Sequence, residues 1–271
     1  MRTRPNQRKI RPGLVSITFR KLGVPEIVER AAAAGLEGIE WGGDIHVPAG
    51  DTKAAETALA LTRDRGLSVA AYGSYYRCTA DEDFERVLAS AVALEAPIIR
   101  IWAGRKGSAD ATPVDRANVV THLRRATTLA AEQGITVAAE WHGGTLTDSV
   151  ESGLCLAAEV DHDGFALCWQ PSRHVDVDTR IAELTSVLSR LAHLHVFQWK
   201  DVPDQAAPER RPLAEGEADW EQYFSLASQA KPPTFKGDRF AMLEFVPGDD
   251  PETLPREAEA LRQLLDDAAT K

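Results

Sequence analysis

The chain has 271 residues and carries 41 Asp+Glu against 31 Lys+Arg, a formal net charge of −10 and a pI near 5.2. At 44% hydrophobic and 27% charged it has the balance of a globular protein and not of a disordered or fibrous one. The acidic surplus argues against a general nucleic-acid binder, whose footprint is a basic face and a high pI. No run of about 18 apolar residues is present to span a membrane.

The first twelve residues, Met1 to Pro12, hold five basic side chains and no apolar core. They read as a flexible basic arm over 1–12 and not as a secretory signal. Short β-rich apolar runs then predict strands at Leu14–Phe19, Gly38–Trp41, Ser68–Tyr72, Pro97–Trp102, Thr136–Trp141, Phe165–Trp169, Leu191–Phe197 and Phe240–Phe245. Helical stretches are predicted between and after them, near 25–34, 53–65, 81–95, 113–133, 148–160, 178–190, 219–229 and 251–268. Pro25-Glu26 and Pro251-Glu252 open the first and last of these; Gly35, Gly66 and Gly134 close the first, second and fourth.

Alternating strands and helices imply parallel strands joined by crossover helices. Eight units at about 34 residues each match the repeat of a (β/α)8 barrel, a fold of roughly 250 residues. An open doubly wound sheet would carry a nucleotide loop, and neither G-x-G-x-x-G nor G-x-x-x-x-G-K-[ST] occurs. The expected fold is therefore one α/β domain over 13–271, a single (β/α)8 TIM barrel. The polar, Pro-rich segment Val202–Gly216 follows the seventh strand, where a barrel carries active-site loops. Cys78, Cys155 and Cys168 form no Cys-x-x-Cys pair, which fits buried thiols in a reducing cytoplasm.

Barrel chemistry sits at the C-terminal strand ends. Four late ends supply Glu140, Gln170, His195 and Glu244. Period-two alternation places Ala138, Glu140 and His142 on one face, and likewise His193, His195 and Phe197, or Met242, Glu244 and Val246. Two carboxylates, an imidazole and an amide oxygen suit one divalent metal ion, Mn²⁺, Mg²⁺ or Co²⁺ ahead of Zn²⁺. His46, His142 and His174, taken singly, read as loop or hydrogen-bonding residues.

Four stretches carry a family resemblance: Ala34-Gly-Leu-Glu-Gly-Ile-Glu-Trp41, Ala139-Glu-Trp-His-Gly-Gly-Thr-Leu-Thr147, His193-Leu-His-Val196 and Pro212-Leu-Ala-Glu-Gly-Glu-Ala-Asp-Trp220. With them the chain resembles the xylose isomerase-like TIM barrels, specifically the sugar phosphate isomerase/epimerase group. The last stretch resembles a Gly-x-Gly-x-x-Asp-(Trp/Phe) loop through Gly216, Asp219 and Trp220. The resemblance implies one divalent metal held by residues of strands five to eight, here Glu140, Gln170, His195 and Glu244. Gln170 stands where the family has Asp, which removes one negative charge from the site. His174 falls one residue late in the altered Asp-Pro-Gly-His motif, and His-Val-Lys-Asp becomes His195-Val-Phe-Gln198.

The implied reaction is proton transfer beside a carbonyl, isomerising or epimerising a small-molecule sugar or polyol such as a ketose or inosose. Glu140 and Glu244 would be the catalytic pair. His46, Arg100 and His142 would hold substrate hydroxyls, and Trp41, Trp102 and Trp141 would wall the ring. The same site serves lyases and dehydratases of keto-sugars, inososes or dehydroshikimate, which share the enolate step and expel a β-leaving group. DNA repair of the endonuclease IV kind needs more metal ligands and a basic DNA face, against the −10 charge. A non-catalytic sugar-binding barrel is the reading outside enzymology. A homo-oligomer stays open.

Overall fold

A computed structural model describes residues 10–203, 207–231 and 235–270. Among the described residues there are ten strands: β1 (Ile10–Val15), β2 (Gly38–Gly42), β3 (Ser68–Gly73), β4 (Ile98–Ile101), β5 (Thr136–Glu140), β6 (Phe165–Trp169), β7 (Leu191–Val196), β8 (Gln198–Lys200), β9 (Glu209–Arg211) and β10 (Arg239–Leu243). Eight of them close a parallel barrel in the order β1-β10-β7-β6-β5-β4-β3-β2. The ring closes between the first and last strands, in register from Ile10↔Arg239 to Leu14↔Leu243. The helices are α1 (Val24–Ala33), α2 (Thr52–Asp64), α3 (Phe84–Ala93), α4 (Pro113–Glu132), α5 (Val150–Val160), α6 (Val177–Val187), α7 (Glu217–Ala227) and α8 (Leu254–Thr270). The expected single barrel is the observed one.

Local chemistry explains the boundaries. Asp51 and Asp176 accept backbone N–H groups at the starts of α2 and α6, and Thr112 with Asp115 forms a capping box ahead of Pro113 on α4. Inside the ring a Cβ on Gly38 would stand 2.5 Å from the Phe240 ring. The bare backbone there lets Phe240 fill the barrel floor.

Three departures from the predicted pattern matter. β1 starts at Ile10, three residues ahead of the expected barrel start, because Arg11 is tied to Glu37 at 2.7 Å and Asp238 at 2.8 Å. Residues 10–12 thus belong to the barrel and not to an arm, and residues 1–9 lie outside the described residues. The apolar run Leu14–Phe19 is only half strand: Ser16–Phe19 turn into a buried 3₁₀ segment. The segment after β7 contains a small antiparallel ribbon, with β8 paired to β9 through Trp199↔Arg210. Cys78 and Cys168 are buried free thiols, whereas Cys155 is exposed. Among the described residues no helix is long and apolar enough to cross a membrane.

His193 on β7 yields a pH prediction. It is 1% exposed, bonds through Nε2 to the Ala70 carbonyl at 3.0 Å, and accepts the Phe240 N–H on Nδ1 at 3.1 Å. Burial pushes its imidazole down to about 4. An unfolded chain protonates this histidine from about pH 6.5 downward while the folded one stays neutral. Its contribution is therefore complete above about pH 6.5 and is lost at about 1.4 kcal/mol per pH unit as pH falls towards 4. Urea unfolding at pH 7 and pH 5 should show His193→Gln with a flatter acid limb than the parent. Parallel limbs would remove His193 from the acid response.

Candidate metal centre and its cavity

Alternation along β2 points Glu40 into the barrel mouth and Trp41 out of it. On β4 the same alternation brings Arg100 inward. Arg100 donates from Nε to Glu40 Oε1 at 2.7 Å, and its Nη1 meets Glu140 Oε2. A Cβ on Gly73 of β3 would lie 2.6 Å from Arg100 Nη2 and 2.7 Å from Glu40 Oε1, so glycine makes room for this pair. The Trp102 indole N–H also donates to Glu140 Oε2.

His195 on β7 completes the cluster. Its Nε2 faces Glu40 Oε2 at 3.3 Å. A carboxylate can only accept, so Nε2 carries a hydrogen, and in the neutral ring Nδ1 keeps a lone pair. That Nδ1 lies 3.3 Å from Glu244 Oε2 and 3.6 Å from Glu140 Oε1. Ligand atoms of Glu140, His195 and Glu244 all fall within 4.8 Å of one another, and all three residues are buried.

The electrostatics follow from three carboxyl groups facing one guanidinium. Burial opposes the charge on Glu40, but Arg100 and His195 hold its carboxyl down to about 2. Burial likewise opposes a charged Glu140, and Arg100 and His195 pull it well below the usual carboxylate range. Burial disfavours a charged His195, yet Cys168, Glu244 and Glu40 beside it lift it above the ordinary histidine value. A cluster that draws a proton onto an imidazole in this way also favours a bound cation.

Two orphaned atoms test the fit of a divalent ion. His195 Nδ1 and Gln170 Oε1 are both buried without a hydrogen-bond partner. Gln170 lines the same cavity as Glu140 and Glu244. Unsatisfied buried acceptors are costly and rare, and a hard or borderline divalent cation would satisfy both. The donor set of Glu140, Gln170, His195 and Glu244 therefore fits such an ion.

Glu140, Gln170 and Glu244 line a cavity of about 1520 Å³ at the C-terminal barrel mouth. Trp102 and His142 stack in its wall with ring centroids 4.6 Å apart. His142 Nδ1 bonds to the Gly143 carbonyl at 2.6 Å, which places its hydrogen there and leaves Nε2 with the lone pair in the neutral ring. Tyr75, also in the wall, holds a left-handed backbone at φ +60 and accepts from Arg20 Nη2 at 3.1 Å. Backbone strain of this kind in a non-glycine residue concentrates at functional sites.

Some expected substrate contacts lie elsewhere. Trp41 is fully buried on the helix side, its indole N–H donating to Thr62 of α2 at 3.2 Å; it points away from the mouth because its neighbour Glu40 points in. His46 spends both ring nitrogens on Ser16 Oγ at 3.0 Å and the Leu22 carbonyl at 3.3 Å, so it is a strut beneath the β2 loop. Arg100 is in the site but is occupied by Glu40 and Glu140, and holds carboxylates instead of hydroxyls. Trp141 reaches the cavity, yet it is 1% exposed and packed over Gly153. His174 pairs with Asp201 at 3.2 Å. Glu40, Tyr75 and Arg210 enter the site without having been singled out. For Glu40 the signal was a charge flanked by Gly38 and Gly42 on an inward face.

Comparison with known proteins places this geometry. A family model described as xylose isomerase-like TIM barrel matches residues 28–264. A 3-dehydroshikimate dehydratase from Bacillus anthracis is 32% identical over 160 residues, which is 55% of this chain and 57% of that protein. The crystal structure of the probable 3-DHS dehydratase AsbF of Bacillus anthracis superimposes with a TM-score of 0.76 at 24% identity, covering 93% of this chain and 99% of that one. An IolI protein with a bound zinc atom superimposes at 0.74 with 12% identity, covering 96% and 98%. At these identities the two structures speak for the fold alone.

Proposed function

This chain belongs to the xylose isomerase-like TIM barrel family, and from that premise we propose that it is a divalent-metal-dependent lyase. Its substrate would be a cyclic β-hydroxy ketone of the 3-dehydroshikimate class, which it dehydrates. The relative that is 32% identical over 160 residues supports the substrate class. The observation that carries the choice of lyase over epimerase is the commitment of Glu140. Epimerisation by two carboxylates needs both free to exchange a proton, and Glu140 Oε2 is already held by Arg100 and Trp102. A single base suffices for elimination if it hands its proton to the departing hydroxyl.

A divalent ion held by Glu140, Gln170, His195 and Glu244 would polarise the ketone oxygen of the substrate. His142 is the base: its Nδ1–H is fixed on Gly143, which directs the basic Nε2 to the remaining side of the ring. It takes the proton from the carbon beside the ketone, and the freed electron pair is delocalised towards the carbonyl oxygen. Collapse of that enolate forms the carbon–carbon double bond and breaks the β carbon–oxygen bond. The imidazolium returns its proton to the leaving hydroxide, releasing water. For 3-dehydroshikimate, a further tautomerisation gives 3,4-dihydroxybenzoate. This gives His142 the proton-transfer role that the family resemblance implied for Glu140 and Glu244, and leaves those two as ligands. Trp102 and Tyr75 shield the enolate from water.

Incubation with 3-dehydroshikimate and Mn²⁺ in D₂O, followed by proton NMR, should show 3,4-dihydroxybenzoate accumulating. A panel of ketoses and inososes should show no solvent-deuterium exchange. Exchange beside a ketose carbonyl without elimination would restore the isomerase reading in place of this one.

A further inference from the structure

We propose that Arg210 is the carboxylate-recognising residue of this cavity, so that the site selects substrates carrying an anionic group. The inference rests on the reading of the cavity as the substrate site and names a residue that recognises the substrate's charge.

Most arginines in the cavity wall are already occupied. Arg20 is bound to Asp44 and the Tyr75 hydroxyl, and Arg100 to Glu40 and Glu140. Arg173 pairs with Asp201 at 2.7 Å. Arg211 makes a two-pronged contact with Glu215, both bonds at 2.9 Å, and a further one with Glu209. Arg210, like Arg173, pairs through a single nitrogen with a half-exposed carboxylate, here Asp249, and its Nε and Nη2 have no hydrogen-bond partner among the described residues; what sets Arg210 apart is its stacking on Phe245, next to Glu244.

Its position is fixed all the same. The guanidinium sits over the Phe245 ring, its Cζ 3.7 Å from the centroid, and Phe245 directly follows the metal-site residue Glu244. On the other side, β9 is zipped to β8 through Trp199↔Arg210. Phe197 and Trp199, 4.3 Å apart, and Phe245 add apolar walls to the same cavity. Phe197, between Val196 and Gln198, brings no charge to the cavity. No lysine lines the cavity among the described residues.

A planar fork with two unspent donor positions, stacked on an aromatic ring beside a site for a neutral ketone, matches a substrate carboxylate. Burial lowers the guanidinium's proton affinity while Glu244 raises it. Asp249 holds the fork in place before the ligand arrives and competes with it afterwards.

The test uses calorimetric titration of the purified full chain, loaded with Mn²⁺, with 3,4-dihydroxybenzoate and its uncharged amide. The parent protein should bind the acid at least about tenfold tighter than the amide, the usual advantage of a charge-assisted pair. In Arg210→Gln that preference should vanish through weaker binding of the acid, with the amide little changed. Asp249→Asn should move the other way and tighten the acid several-fold. In turnover, Arg210→Gln should raise KM more than it lowers kcat. An Arg210→Gln protein that folds and keeps the acid-over-amide preference overturns the proposal while leaving the lyase reading intact. A parent protein that binds neither compound overturns both.

Discussion

Glu140→Gln should lose tight divalent-metal binding and, with it, about three orders of magnitude in kcat/KM. Glu140 supplies a carboxylate of the buried cluster and stands among the ligand atoms of His195 and Glu244, all within 4.8 Å. An amide of the same shape keeps an oxygen but removes the charge, so the ion sits in a weaker field and polarises the ketone less. Lewis-acid stabilisation worth about 4 kcal/mol corresponds to about a thousandfold in rate. Metal content after dialysis, read by mass spectrometry, checks the binding half, and steady-state kinetics with saturating Mn²⁺ checks the catalytic half. Glu244→Gln is the informative partner. It should weaken the metal comparably but spare stability, because Arg100 and Trp102 both donate to Glu140 and neither donates to Glu244. Full metal retention in Glu140→Gln would take the residue out of the ligand set.

The second large effect is on stability. Arg100 is 2% exposed and is the guanidinium that balances Glu40 and Glu140, themselves buried. Arg100→Leu keeps the apolar bulk and leaves two carboxylates without their counter-charge. Removing one partner of a buried ion pair costs about 3–5 kcal/mol, which for a domain of this length lowers the melting temperature by about 10 °C. The metal-free protein should show this loss in full. Saturating Mn²⁺ should recover part of it, because an ion on Glu140 replaces the missing positive charge and stabilises by mass action. A variant that melts with the parent when metal-free would mean that the Arg100 cluster is energetically neutral.

Eight strands were readable because parallel barrel strands are covered on both faces and appear as short, nearly continuous apolar runs. The same property hid the end of β1: Ser16–Phe19 are as buried in a 3₁₀ turn as they would be in a strand, so hydrophobicity could not mark the change. β8 and β9 were invisible because three-residue polar segments such as Gln198–Lys200 fall below any periodic signal. Within the site, Glu140, His195 and Glu244 were legible from strand-end position alone and the structure brings them together. Glu40 was passed over because a charged strand end usually faces solvent. Trp41 was misplaced by a single step of alternation, which turns a side chain from the mouth to the helix layer. Arg210 could not be read at all, since its role depends on which acids occupy its neighbours.

One consequence of the ring closure concerns the order in which the protein is made. Glu40 comes from the second barrel strand and Glu244 follows the last, and His195 stands between them, Nε2 on Glu40 and Nδ1 on Glu244, only when β10 has docked on β7 and β1. A partly synthesised chain, however well its early helices have formed, owns scattered acids and no chelating pocket. A divalent ion held by Glu140, His195 and Glu244 would therefore find its pocket only after the chain has been translated through β10.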